Sequence, residues 1–403
     1  AYIDVTDNLT FLNDGKYFIW TSEKSGYNHI YLYNLKGKQV RQITKGNYDV
    51  TDFYGIDESN NTVYFASSER SPMHRDVYAV QLNGKNKKTL TNKTGTNSAT
   101  FSTNYKYFIN QYSNANTPYY FSLFDAKGNE VRMLKDNSNL NNSLAEYALS
   151  QKEFFNFKTT EGIDLNGWMM KPHNFDETKQ YPVFMYLYGG PGSQQVTDSW
   201  GGSNFLWYQM LTQQGYIVAC VDNRGTGARG SEFKKCTYQQ LGKLETEDQI
   251  EANRYLANLP YVDGSRIGIF GWSYGGYMSS LCLLKGADEF KMAIAVAPVT
   301  NWRYYDTIYT ERYMRTPQEN AAGYDDNSPI NHVEKLKGKY LLVHGSADDN
   351  VHYQNTMEMT NALVNANKQF DLFIYPNKNH GIYGGYTRLH LFTKMTNFIK
   401  ENL

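Results

Sequence analysis

Through the first 150 residues, apolar and polar positions alternate in short runs broken by small polar turns. Three segments, residues 29–44, 76–91 and 119–134, follow one plan. Each alternates up to a Lys/Asn-Gly-Lys/Asn turn and alternates again beyond it, which is the signature of a β-hairpin. The turn glycines, Gly37, Gly84 and Gly128, are spaced 47 and 44 apart. Upstream of each hairpin lies another strand-like pair, for example at residues 62–66 and 105–109. Four short strands per ~45 residues is the pattern of a propeller blade. A β-sandwich also repeats strands at short intervals, but the matching glycine spacing favours blades. Three blades cannot close a ring that takes about 4–8. The chain is therefore expected to be the C-terminal portion of something longer.

Near residue 153 the period changes. Apolar runs predict buried strands over 181–188, 217–221, 267–270, 292–296, 340–344 and 370–375. Between them, helices are predicted over 205–214, 244–259, 277–284, 356–366 and 389–401. Alternating strands and helices with near-continuous apolar strands imply a mostly parallel sheet covered on both faces. The expected organisation is thus an α/β class chain, with propeller blades over residues 1–150 and an α/β domain over 151–403.

Composition and charge narrow the function. The 403 residues carry 40 basic and 40 acidic side chains, and residues 1–150 carry 16 and 14. Neither half has the basic excess that nucleic-acid binding draws on, so no nucleic-acid partner is expected. The apolar 40% includes 35 tyrosines, so much of the packing surface is amphipathic ring. The longest apolar runs, such as residues 217–221 and 293–299, fall far short of the ~20 residues of a spanning helix. Three cysteines, Cys220, Cys236 and Cys282, with no CxxC pair, support neither a disulfide scaffold nor a metal site.

One short motif carries chemistry. Gly271-Trp272-Ser273-Tyr274-Gly275 fits GxSxG between a predicted strand and a predicted helix, the context of a nucleophile held on a sharp turn. A serine hydroxyl needs a base. Asp348 and His380 follow two later predicted strands, in the chain order Ser…Asp…His that such folds use. All three lie past C-terminal strand ends, where open α/β sheets bind ligands. The expected roles are Ser273 as nucleophile, His380 as general base and then acid, and Asp348 as the group fixing the imidazole. Asp349 is the rival acid, and His344 is the rival histidine, with a core hydrogen bond as its other reading. The Tyr274 amide is one expected oxyanion donor, and a tyrosine hydroxyl from Tyr186-Leu187-Tyr188-Gly189-Gly190 can supply the second.

At these residues the chain closely resembles the dipeptidyl peptidase IV branch of the prolyl oligopeptidase family of serine peptidases. The likeness rests on residues 271–277 (GWSYGGY), 344–352 (HGSADDNVH) and His380-Gly381-Ile382. It also rests on residues 244–252 (LETEDQIEA) and 295–302 (AVAPVTNW). It runs through residues 155–403 and is weaker but collinear over 1–150, where the family has an eight-bladed propeller. The resemblance implies that Tyr188 is the side-chain oxyanion donor. It implies a proline pocket lined by Tyr274, Val299, Trp302, Tyr305, Tyr309 and Val351, with Asn350 on the preceding substrate carbonyl. It assigns Arg224 no catalytic role. The family anchors the substrate's amino group with two adjacent glutamates and an arginine from earlier blades, and residues 1–150 contain no such pair.

The function expected on this basis is release of Xaa-Pro, and less readily Xaa-Ala, dipeptides from peptide N-termini through an acyl-enzyme. No metal or organic cofactor is implied. A tripeptidyl or acylaminoacyl peptidase of the same family, or a non-catalytic binding relative, are the alternatives, and a general esterase would need neither the repeats nor a proline-shaped pocket. The resemblance further implies a homodimer in the complete protein, with the closing helix as a candidate surface, and export to the periplasm or cell surface of a bacterium.

Overall fold

The computed structural model describes residues 1–202 and 204–403. Twelve strands form three antiparallel sheets of four, each in sequential order. The first contains β1 (Thr10–Phe11), β2 (Tyr17–Ser22), β3 (His29–Asn34) and β4 (Gln39–Gln42). The second contains β5 (Val50–Asp57), β6 (Thr62–Ser67), β7 (Asp76–Gln81) and β8 (Lys88–Thr89). The third contains β9 (Thr96–Phe101), β10 (Tyr107–Asn114), β11 (Thr117–Asp125) and β12 (Glu130–Lys135). Separate four-stranded meanders are blades, and they exclude the sandwich reading.

The repeated glycine has a local cause. Gly37, Gly84 and Gly128 all adopt left-handed φ, between 75° and 88°, at the turn joining the last two strands of each blade. Each amide closes the turn by donating to the carbonyl three residues back, at Asn34, Gln81 or Asp125. The strand expected from residue 105 starts instead at Tyr107, because Tyr105 is itself left-handed, at φ 52°, in a turn closed onto the Ser102 carbonyl.

After α1 (Ser138–Ala145), eight strands make one mixed sheet. They are β13 (Lys152–Lys158), β14 (Asp164–Met170), β15 (Tyr181–Tyr186), β16 (Ile217–Asp222), β17 (Val262–Trp272), β18 (Met292–Val296), β19 (Lys339–Gly345) and β20 (Asp371–Tyr375). Their spatial order is β13-β14-β16-β15-β17-β18-β19-β20, with β13 and β14 antiparallel and β15–β20 parallel. This is an α/β-hydrolase sheet, preceded by the last blades of a β-propeller. The helices around it are α2 (Phe205–Gln213), α3 (Gly230–Lys235), α4 (Lys243–Ala257), α5 (Tyr274–Lys285), α6 (Thr307–Met314), α7 (Ala321–Asp326), α8 (Gln354–Asn365) and α9 (Thr387–Asn402).

The period-two alternation of each strand sends neighbours to opposite faces. Ile267, Ile269, Ala293, Ala295 and Leu342 join the core under α4, α5 and α8. Phe270, Met292, Ile294, Leu341 and Val343 join a second core under α2 and α9. Blades and sheet are stitched together by polar contacts. The Gly230 amide donates to Asp49 Oδ2 at 2.8 Å, and the Ala115 amide donates to Asp198 Oδ1 at 2.7 Å.

Candidate active site

β17 runs to Trp272 and α5 starts at Tyr274, so Ser273 alone joins them, a tighter turn than the pattern predicts. Ser273 is held at φ 62°, ψ −118°, an uncommon conformation for a side chain and the mark of an over-determined site. The flanking glycines are steric necessities. A Cβ on Gly271 would stand 2.0 Å from the Gly275 carbonyl oxygen, and one on Gly275 would stand 2.4 Å from that of Leu187.

Tyr274 opens α5, so its amide has no carbonyl of its own helix to meet, and it sits at the positive end of the helix dipole. Tyr188 follows β15, and its ring is tilted 40° to that of Tyr274, with centroids 5.9 Å apart. Burial pushes the Tyr188 phenol upward, which keeps it protonated and a donor. Among the described residues its hydroxyl has no hydrogen-bond partner.

Asp348 and His380 meet because β19 and β20 are adjacent parallel strands. The loops leaving them are tied together, Ser346 N–H to the Tyr375 carbonyl and Ala347 N–H to that of Lys378. His380 Nδ1 lies 2.8 Å from Asp348 Oδ2. Asp348 Oδ1 accepts the amides of Asn350 and Val351, each at 2.9 Å. Burial alone would raise the Asp348 pKa, but the contacts from His344 and His380 and these amides hold it well below the usual carboxylate range. The rival Asp349 is exposed. His344 is fully buried behind Asp348, bonded through Nδ1 to the Thr356 hydroxyl at 2.6 Å and through Nε2 to the Val351 carbonyl at 2.9 Å. Its Nε2 also lies 3.2 Å from Asp348 Oδ2, so it supports the acid.

The Trp272 indole donates to the His380 carbonyl at 3.0 Å, which ties the histidine loop to the serine turn. Ser273 and His380 line one cleft of about 420 Å³ together with Tyr188, Tyr305 and Asn350. Beside it Trp302 packs against Tyr274, Tyr305 and Tyr309 at centroid distances of 5.5, 5.7 and 5.9 Å. Val299 and Val351 are buried in the larger core that Trp302 joins. The Tyr305 hydroxyl donates to Asn350 Oδ1 at 2.9 Å, which turns the amide so that its N–H₂ remains the donor end. Of the residues singled out from the sequence, the structure brings Tyr188, Ser273, Tyr305, Asn350 and His380 to one cleft, with Asp348 bonded to His380 and Tyr274 and Tyr309 packed with Trp302 beside it.

Arg224, left without a role by the sequence, is an anchor. It is bidentate to Asp248 of α4 and also reaches Glu161 at 2.9 Å. Two residues were given no role by the sequence reading. Glu245, in the first turn of α4, is fully buried and accepts the Tyr274 hydroxyl at 2.9 Å. Arg388, near the start of α9, lines the cleft beside Trp272. An acid in a helix's first turn reads as ordinary dipole compensation, and nothing in sequence distinguishes a lone arginine.

Comparison with known proteins agrees with this geometry. The model of the prolyl oligopeptidase family matches residues 203–403, and that of the dipeptidyl peptidase IV N-terminal region matches residues 1–119. The chain belongs to the prolyl oligopeptidase family. Within that family it is similar to the crystal structure of Porphyromonas gingivalis dipeptidyl peptidase 4, with a TM-score of 0.95 and 52% identity, covering 98% of this chain and 56% of that one. It is 39% identical over 377 residues to a probable dipeptidyl-aminopeptidase B of Arthroderma otae, covering 91% of this chain and 40% of the relative. It is 35% identical over 395 residues to dipeptidyl peptidase 4 of Trichophyton equinum, covering 95% and 51%. The chain therefore spans about half, or less, of the length of the curated relatives it matches.

Proposed function

We propose that the full-length protein is a serine exopeptidase that releases Xaa-Pro, and less readily Xaa-Ala, dipeptides from peptide N-termini. The observation that carries this reading is the Ser273 turn sharing one cleft with an Asp348–His380 pair and an aromatic cluster. Ser273 Oγ attacks the carbonyl after the second residue, and His380 takes its proton and then delivers it to the leaving amine. Asp348 keeps the Nδ1 proton of His380 in place, leaving Nε2 free to act as base. The Tyr274 amide and the Tyr188 hydroxyl receive the developing oxyanion. Water then repeats the attack on the acyl-enzyme and frees the dipeptide. Trp302, Tyr305, Tyr309, Val299, Val351 and the Tyr274 ring make a compact apolar receptacle that suits a pyrrolidine ring, and Asn350 donates to the carbonyl before it. Registration at the free amino group falls to blades outside this chain.

The same reading treats residues 1–150 as blades and 151–403 as the catalytic domain, a division supported by the gap between β12 and β13. Homodimerisation through α9 and export from a bacterial cell are part of the proposal. Among the described residues no helix is long and apolar enough to cross a membrane.

The test uses the full-length protein with Gly-Pro and Ala-Ala-Pro chromogenic amides beside Ser273→Ala. Cleavage of Gly-Pro amide that vanishes in Ser273→Ala is expected. Release from Ala-Ala-Pro without Gly-Pro would sink the dipeptidyl claim, and activity surviving Ser273→Ala would sink the mechanism.

A further inference from the structure

The cleft has two halves that belong to opposite faces of the sheet. Tyr274, the residue after the serine, packs with Trp302 in the core under α4 and α5. Trp272, the residue before it, packs with Tyr186 and Phe392 against the core under α2 and α9. The serine thus divides an aromatic receptacle from a second wall. Arg388 stands on that second wall, its guanidinium carbon 4.8 Å from the Trp272 ring centroid and 5.9 Å from that of Phe392.

Among the described residues Arg388 shares the lack of a carboxylate partner with Arg41, Arg75, Arg132, Arg229 and Arg312, and what sets it apart is its place in the lining of the cleft. Arg70, Arg224, Arg254, Arg266, Arg303 and Arg315 are each paired with a carboxylate. Among the described residues, no carboxylate lies within ion-pair distance of Arg388 and none of its N–H groups has a hydrogen-bond partner. Burial pushes its pKa down, yet a guanidinium stays charged under any physiological condition. A cation partly withdrawn from water, stacked on an indole and facing a cleft with no counter-charge, is a planar fork awaiting a planar anion.

We propose that Arg388 is a carboxylate-receiving site on the leaving-group side of the cleft. This inference rests on the acyl-enzyme reading above, because only that reading assigns the aromatic half to the acyl residue. The peptide beyond the scissile bond then runs along the Trp272 wall, toward the guanidinium. The carboxylate it meets is either the C-terminus of a tripeptide or an acidic side chain in the leaving segment. Both present the same two oxygens to the fork.

The experiment compares kcat/KM of the full-length protein on matched pairs: Ala-Pro-Gly against Ala-Pro-Gly-amide, and Ala-Pro-Glu-amide against Ala-Pro-Gln-amide. Ala-Pro-4-nitroanilide, whose leaving group carries no carboxylate, reports the underlying activity. The acid-to-neutral ratio is expected at about tenfold or more in at least one pair, the size of a charge-assisted contact, and to shrink as salt is added. The pair that shows it identifies the source of the carboxylate. In Arg388→Gln the ratio falls to near one, and in Arg388→Lys it is partly kept. Reading a ratio cancels any general loss of activity, and the wild-type ratios stand even if a variant fails to fold. Wild-type ratios near one, or a ratio preserved in Arg388→Gln, overturn this inference alone. Failure to cleave the anilide overturns the peptidase reading, and the inference with it.

Discussion

The phenol of Tyr274 donates a 2.9 Å hydrogen bond to Glu245 Oε1, and both side chains are buried. The other oxygen, Oε2, has no partner among the described residues. A carboxylate so placed gains by holding a proton. Burial drives the Glu245 pKa up to about 7, against the opposing pull of nearby amides and the Tyr274 hydroxyl. Between the ordinary glutamate value and 7 the folded state therefore binds more protons than the unfolded chain. The stabilisation is fully present at acid pH, declines as pH rises through this window, and is gone above it.

Glu245→Gln mimics the protonated acid and removes that dependence. Urea unfolding across the same pH range should show the wild type losing on the order of 3 kcal/mol that the variant keeps. Parallel curves for the two proteins would refute the assignment. Asp222, pushed up to about 6 by burial, contributes a slope of the same sign to both and cancels in the comparison.

Asp348→Asn should leave the fold intact and reduce kcat by about three to four orders of magnitude. The asparagine oxygen can keep the two loop amides, which turns its N–H₂ toward His380 Nδ1. The imidazole must then carry its proton on Nε2, where it cannot accept one from Ser273. Kinetics beside circular dichroism separate this from unfolding. Because Asp348 itself stays ionised far below neutrality, its own protonation should not shape the acid limb of the wild-type rate profile.

Tyr188→Phe removes the oxyanion donor proposed above and nothing else that the structure pairs. A loss of about two to three orders in kcat with little change in KM is expected, since the donor is used as charge develops on the carbonyl oxygen. An equal rise in KM would instead mark Tyr188 as a ground-state contact.

His344→Ala strips the Val351 carbonyl and the Thr356 hydroxyl of their buried partner. Stability should fall by about 1–3 kcal/mol, the cost of orphaned polar groups. Activity should fall as the Asp348 loop loosens, yet remain well above that of His380→Ala. Equal losses in the two variants would place His344 in the proton path.

Much of this was legible because the chemistry is local in sequence. Gly37, Gly84 and Gly128 announce the blades through a turn that needs left-handed backbone, and GxSxG announces the serine through steric contacts within five residues. Asp348 and His380 follow recognisable strands, and chain order assigns them. The position of the first strand of each blade was not legible. β9, for instance, reads TNSATF and has too little apolar contrast to show a period. The β13–β14 hairpin was missed as well, and helix α5 was entered three residues late. The roles of Glu245 and Arg388 were not legible for a different reason. Their meaning lies in what is absent around them, a partner for Oε2 and an anion for the guanidinium, and absence is a property of packed space.

The two glycines around Ser273 have a consequence for reading other sequences. Each is demanded by a backbone oxygen pressed against its Cα, at 2.0 and 2.4 Å from any added Cβ, whether or not position 273 does chemistry. A relative that had exchanged its serine for an inert residue would still be compelled to keep both. The outer letters of the motif therefore testify to architecture, and a survey for live enzymes should count only the residue in the middle.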